Sequence, residues 1–328
     1  MEKKLLIGVD EAGYGPSMGP LTICATAWRV PSTFDACEMT SLLEPEFLAK
    51  PIRSNSTHVP IGDSKKIHRE ALAVEGLILG ARFLCFEMDG TIHSEWDSCI
   101  AAFASQDWIR LASIPWYAKR PSTYFANLDN TSFDQRSYFH AASAKMKTHS
   151  IALAGIRMRV IDEVEFNAQL DRTGNKLTLL SEASLALVKQ VISEFAGEGE
   201  DIEVYCDKHG GRNRYQAILT FMFDEEWFAI ELECRACSRY TAKWKGHSMQ
   251  IQFKVDGDSI FPAAAASIIA KWTREELMDR LNGFWETKVA GDITRTAGYY
   301  VDAKRFAEEI GDTASKLGLD RVLWWRKK

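Results

Sequence analysis

The sequence lacks a basic surplus: 40 Lys and Arg stand against 45 Asp and Glu, for a formal net charge of -5. Bulk charge therefore does not draw it to nucleic acid, although local clustering of Lys and Arg is the quantity that decides such binding. No long apolar run is present. The opening Met1-Glu2-Lys3-Lys4 and the short stretch Leu5 to Val9 fit neither a signal peptide nor a membrane span, so a cytoplasmic protein without membrane association is expected. Cysteine is sparse and odd in number, seven at scattered spacing, which fits a reducing compartment better than a disulfide framework. The pair Cys234-x-x-Cys237 has no second pair and no His at zinc spacing, and reads as no metal site. No Gly-x-Ser-x-Gly elbow occurs and His209 has no evident partner, which argues against a hydrolase built on a nucleophile and a histidine base.

What is present is a hydrophobic content of 46%, enough for a full core and against disorder. A chain of 328 residues accommodates one α/β domain, residues 1–328, with a large insertion. Leu5 to Val9 reads as a buried strand that ends in Asp10-Glu11, followed by Gly13-Tyr14-Gly15-Pro16. On a regular strand the two carboxylates point to opposite faces, so both serve one site only where the strand ends or bulges. Such a pair beside a glycine turn suits a divalent cation and a phosphate backbone; an ordinary solvated acidic strand end is the alternative.

Further on, Leu21 to Val30 reads as an antiparallel second strand and residues 31–60, punctuated by Pro31, Pro45, Pro51 and Pro60, as loop and short helix. The loop Gly62-Asp63-Ser64-Lys65-Lys66 offers hydroxyl and charge to a phosphate, or is a solvated lysine pair. Ala81 to Met88 reads as a strand. Residues 90–150 are aromatic and irregular, with Trp96, Trp108, Trp116, Tyr117, Lys119, Arg120, Tyr124, Phe125, Phe133, Arg136, Tyr138, Lys145 and Lys147 forming a nucleic-acid platform or a satellite core. Gly155 to Ile161 alternates as a half-buried strand, and Leu177 to Ala196 carries the period of an amphipathic helix. Ile202 to Cys206 is a strand that ends at Asp207 before a glycine pair, with Lys208, Arg212 and Arg214 nearby as phosphate contacts. Phe228 to Val255 is strand-like. Asp256-Gly257-Asp258 then precedes Pro262 and an alanine-rich helix in which Ser267 and Lys271, four apart, share one face. Near the end come Gly298-Tyr299 and a tail, Trp324-Trp325-Arg326-Lys327-Lys328, read as a docked aromatic pair with solvated charges.

Several of these segments, taken together and in order, resemble the ribonuclease HII (type 2 ribonuclease H) family. The carriers are Asp10-Glu11-Ala12-Gly13-x-Gly15, Asp63-Ser64-Lys65-Lys66, Ile161-Asp162 to Asn167, the strand-end Asp207, Asp258 with Pro262 four residues on, and Ser267-Ile268-Ile269-Ala270-Lys271-Trp272-Thr273-Arg274. The resemblance implies a ribonuclease H-like α/β fold, a mixed central sheet flanked by helices, with approximately residues 90–150 as an unmatched insertion. It implies an endonuclease that hydrolyses the RNA strand of RNA/DNA hybrids, or DNA at embedded ribonucleotides, with two Mg²⁺ or Mn²⁺ ions. Asp10, Glu11, Asp207 and Asp258 would hold the ions, with Asp256 as a rival to Asp258. Gly13, Tyr14, Gly15, Ser64, Lys65, Lys66, Ser267, Lys271 and Tyr299 would meet the nucleic acid, whereas Glu163 and Asn167 would be structural or peripheral rather than catalytic. Two departures stand out: the family's turn is Gly-Arg-Gly or Gly-Lys-Gly where Tyr14 stands here, and the segment after Pro262 is one residue shorter.

Overall fold

The computed structural model describes residues 2–50, 58–67, 73–93, 95–118 and 134–328. Seven strands form one sheet: β1 Lys3–Ala12, β2 Leu21–Pro31, β3 Ala152–Ile161, β4 Asp201–Asp207, β5 Ala229–Glu233, β6 Cys237–Trp244 and β7 His247–Lys254, in the order β3-β2-β1-β4-β7-β6-β5. The pairs β1/β4 and β4/β7 are parallel and the rest antiparallel, so the sheet is mixed. Both faces of β1 are buried, which is why Leu5 to Val9 carries no polar alternation.

The described helices are α1 Met39–Leu42, α2 Ser64–Ile67, α3 Ala73–Asp89, α4 Trp96–Phe103, α5 Ser105–Ala112, α6 Gln135–Thr148, α7 Glu163–Thr173, α8 Lys176–Phe195, α9 Gln216–Met222, α10 Phe261–Lys288 and α11 Tyr300–Lys316. The two sheet faces carry separate cores. Leu6, Cys24, Trp28 and Tyr205 pack with α3 and α10 on one side, and Leu5, Ile7, Val9 and Val204 pack with α8 and α9 on the other. Helix α10 lies directly on β1 and β2. A Cβ at Gly8 would lie 1.9 Å from the Pro262 carbonyl carbon, so only glycine admits this approach. The Thr26 and Thr22 hydroxyls donate to the Pro262 and Ala270 carbonyls at 2.7 and 2.9 Å. The alanines of α10 make that contact possible, since bulkier side chains would hold the helix off the sheet.

Three sequence expectations change. Ala81 to Met88 is not a strand but the second half of α3. Leu77, Ile78, Leu79, Ala81, Phe83 and Leu84 are all fully buried there, and a helix buried on most sides loses the period that marks it. The described parts of 90–150 are largely helical rather than irregular, and their aromatics join the main core instead of forming a satellite. Trp96 lies under the Arg280 guanidinium at 4.7 Å, Trp116 stacks on Trp285 at 6.4 Å, and Phe139 meets Phe83 at 5.5 Å. Arg280 pairs with both Asp97 and Glu276 in a buried cluster that ties α4 to α10. Lys119, Arg120, Tyr124, Phe125 and Phe133 lie outside the described residues. The tail does not carry solvated charge throughout, because Arg326 is fully buried. No helix among the described residues is long and apolar enough to cross a membrane.

Candidate active site

The two N-terminal carboxylates share a site because β1 is covered unequally. Toward β2 it pairs without a break through Ala12, but toward β4 the pairing stops at Val9 with Cys206. Asp10 and Glu11 therefore stand beyond the last residue pair with β4, where a side chain from either face reaches the open strand end. Asp207 is the residue that follows Cys206, so the two strand-end aspartates sit side by side on adjacent parallel strands and on the face that α10 covers.

Asp10 is buried, and burial pushes its carboxyl up to about 6 from 3.8; Lys271 and a hydrogen bond with Ser267 oppose the rise, while the Asp207 charge adds to it. Its Oδ1 also accepts the Glu11 amide at 2.8 Å. Glu11 is driven well above its ordinary range, by burial first and then by the charges of Asp10 and Asp207, with Lys271 again opposing. Ser267 and Lys271 thus share a face of α10 as expected, and that face is turned to the carboxylates.

The other expected members fall around this centre. The Gly257 amide donates to Asp207 Oδ1 at 2.9 Å, and a Cβ at Gly257 would lie 2.8 Å from the Asp207 Cα. The short helical turn Gly257–Ser259, which carries Asp258, is therefore laid against the end of β4. Asp258 is buried; Asp256, at φ 54°, is exposed. Tyr14 runs toward Glu11 and Arg212, whose charges act on its phenol in opposite senses after burial has raised it. Gly13 needs its glycine: at φ 85° a Cβ would lie 2.6 Å from Arg274 Nε. Tyr299, 59% exposed, stands 4.0 Å from where a Gly15 Cβ would be, so its ring flanks the turn. Lys66 is exposed on α2 and pairs with Asp63 at 3.4 Å; the Ser64 and Lys65 side chains lie outside the described residues. Lys208 turns inward, donating to Asn213 Oδ1 and the Cys234 carbonyl at 2.7 Å each, so it holds a loop rather than facing solvent. Arg214 is exposed.

Beneath the glycine turn lies a group that the sequence shows only in part: there Glu163 reads as structural or peripheral, and Arg326 as a solvated charge. Glu163 is fully buried, accepting the Gly19 amide at 2.9 Å and the Tyr117 hydroxyl at 3.0 Å. Arg274 donates to the Ala297 carbonyl at 2.9 Å, and Arg326 donates to carbonyls of the turn itself. Two arginines and a glutamate scattered over the chain leave no local pattern. The signals are the position of Arg274 in the alanine-rich motif and of Glu163 in the segment Ile161-Asp162 to Asn167.

Among the described residues no three His, Cys, Asp or Glu side chains are gathered tightly enough to cage a metal ion. The donor chemistry nevertheless fits a hard divalent cation: the carboxyls of Asp10 and Glu11 are raised first by burial and then by neighbouring like charge, and a bound cation would offset both.

No protein-family model matches the chain, and no curated protein matches it. Solved structures that match the chain include ribonucleases H. The ribonuclease HII of a PCNA complex from Archaeoglobus fulgidus matches at 15% identity over 99% of this chain and 94% of that one, with a TM-score of 0.39. The ribonuclease H2 from Pyrococcus horikoshii OT3 matches at 13% identity over 98% and 92%, with a TM-score of 0.40. Bst-RNase HIII in complex with Mn²⁺ matches at 15% identity over 99% and 66%, with a TM-score of 0.43. Likenesses at these scores carry no argument about the site, which rests on the residues themselves.

Proposed function

We propose that the chain is a metal-dependent endonuclease of the ribonuclease HII type, hydrolysing the RNA strand of RNA/DNA hybrids or DNA at embedded ribonucleotides. One observation carries the reading: Asp10 and Asp207 end adjacent parallel strands, act on each other and on Glu11, and are answered from α10 by Ser267 and Lys271. A clamp of carboxylates at strand ends is what a divalent-cation phosphodiesterase requires. Asp10, Glu11, Asp207 and Asp258 would hold two Mg²⁺ or Mn²⁺ ions, which when bound supply Lewis-acid stabilisation of the attacking and leaving oxygens.

The chain's own residues supply the rest. Ser267 holds the Asp10 carboxyl in place, and Lys271 balances part of the acidic charge before any cation enters. Within the turn Gly13-Tyr14-Gly15, Gly15 presents backbone where no Cβ obstructs a sugar, and Tyr299 beside it offers a ring face to the ribose. Tyr14 supplies a phenol where a cationic side chain would grip phosphate, which favours weaker ground-state binding of the strand. Lys66 and the neighbouring Ser64 and Lys65 would take the backbone further along.

The test is cleavage of end-labelled duplexes in Mg²⁺ and in Mn²⁺: an RNA/DNA hybrid, DNA with one ribonucleotide, and all-DNA, with Asp10→Asn as control. Cutting confined to ribonucleotide-bearing strands and abolished by the substitution is the expected result. Cutting of all-DNA would point to a nuclease for another nucleic acid. Binding without cutting would leave a non-catalytic nucleic-acid-binding protein.

A further inference from the structure

The buried guanidinium of Arg326 sits beneath the turn that carries Gly13, Tyr14 and Gly15. Its Nη1 donates to the Gly13 carbonyl at 2.6 Å and reaches the Pro16 carbonyl at 3.5 Å, and its Nη2 donates to the Gly19 carbonyl. Its own amide donates to the Ser17 carbonyl at 2.8 Å. One side chain thus gathers three carbonyls along the turn, a convergence that the planar fork of arginine suits and a lysine ammonium does not reproduce. With the Gly13 carbonyl drawn inward, the Tyr14 amide on the opposite side of that planar peptide group is turned away from Arg326, toward where a sugar would lie.

The position of Arg326 is itself fixed. Its guanidinium packs on the Phe166 ring at 4.6 Å. The segment carrying it is pinned by Asn167, which donates to the Trp325 carbonyl at 2.9 Å and accepts the Lys327 amide at 2.7 Å. Glu163 holds the far end of the turn through the Gly19 amide, supplying a buried negative charge near the arginine. On the other flank the Gly298 carbonyl accepts the Ser17 and Met18 amides at 2.8 and 3.2 Å, which sets Tyr299 against Gly15. Arg326 is not among the groups that act on Asp10 or Glu11, so its effect on the proposed chemistry passes through the turn.

We propose that Arg326 is a positioning residue for substrate recognition: by clamping the turn from beneath it fixes how Gly13, Tyr14 and Gly15 meet a ribonucleotide. This rests on the proposed nuclease reading.

The test compares the full chain with Arg326→Gln and Arg326→Lys on duplex DNA carrying one ribonucleotide, measuring KM and kcat separately. Binding to the same duplex and to all-DNA is measured in an Asp10→Asn background, and melting curves check folding. The expected result for Arg326→Gln is a KM raised about tenfold or more, with preference for the ribonucleotide duplex reduced about tenfold and kcat changed less than about threefold. Arg326→Lys falls between, because it keeps the charge but not the fork. Simple loss of folded protein lowers apparent kcat and leaves KM and the preference untouched, so that pattern would overturn the proposal. If Arg326→Gln fails to fold, the same two readouts on Arg326→Lys decide. A wild-type chain that cuts while both variants keep its KM and preference sinks this inference alone; a wild-type chain that neither cuts nor binds the ribonucleotide duplex sinks the nuclease reading and this inference with it.

Discussion

Replacing Asp10 by Asn should stabilise the metal-free protein at neutral pH. The Asp10 carboxyl is raised from 3.8 to about 6, chiefly by burial, with Asp207 adding to the rise and Lys271 and Ser267 opposing it. Between those two values the folded state keeps a proton that the unfolded chain has released. Stability therefore falls as pH rises through this window, and the loss is complete above about pH 6. The span corresponds to about 3 kcal/mol at most. Asn removes that cost, keeps an oxygen for the Ser267 hydroxyl, and relieves Glu11, on which Asp10 also acts. For a chain this size the gain translates into a rise of roughly 2–6 °C in melting temperature at pH 7.5, shrinking toward zero near pH 4 where Asp10 is already neutral. Differential scanning calorimetry in EDTA at both pH values measures it. Added Mg²⁺ should then raise the wild-type melting temperature and leave Asp10→Asn nearly unmoved, since a ligand stabilises only the fold that binds it. An Asn variant that melts below wild type at pH 7.5, or an equal difference at both pH values, would refute the electrostatic account of the cluster.

Gly8→Ala places a methyl group on backbone atoms of Pro262 and Ala263 and should cost about 1–3 kcal/mol or more, read as a lowered denaturant midpoint. An unchanged midpoint would mean that α10 has room to retreat. Asp97→Ala leaves Arg280 buried with Glu276 alone and should cost toward the lower end of about 3–5 kcal/mol, by the same measurement. A loss below about 1 kcal/mol would show that α4 is not an integral part of the core.

The elements with a two-sided signal were legible. Leu5 to Val9 and Ile202 to Cys206 are short, apolar and stopped by carboxylates, and they become the parallel pair that carries the candidate site. Gly155 to Ile161 and Met249 to Phe253 alternate because one face of each strand is covered more deeply than the other. Ala81 to Met88 failed for the converse reason: a helix packed on most sides has no polar face to betray its period. The segment Trp324 to Lys328 failed because five residues fix no pattern, and an arginine that neutralises a distant Glu163 reads locally like a surface charge. The carboxylates were legible as residues, but the choice between Asp256 and Asp258 turns on burial, which only the packing of the Gly257–Ser259 turn against β4 creates.

Adjacent carboxylates on a strand face opposite ways, so a site that uses both must lie where the strand loses its neighbour on one side. β1 does this: bonded to β2 through Ala12, it is free of β4 beyond Val9. The same asymmetry makes the two acids unequal. Asp10 lies on the α10 face, where Ser267 and Lys271 together pull its carboxyl back to about 6. For Glu11 the Lys271 charge opposes the rise without a Ser267 bond to help, and both aspartates push it further up. Both acids are thus raised above their ordinary range, and a divalent cation held by them would have to displace the protons they keep. Cation binding should then become tighter with rising pH, because the ligating carboxylates must be deprotonated and both Asp10 and Glu11 are raised.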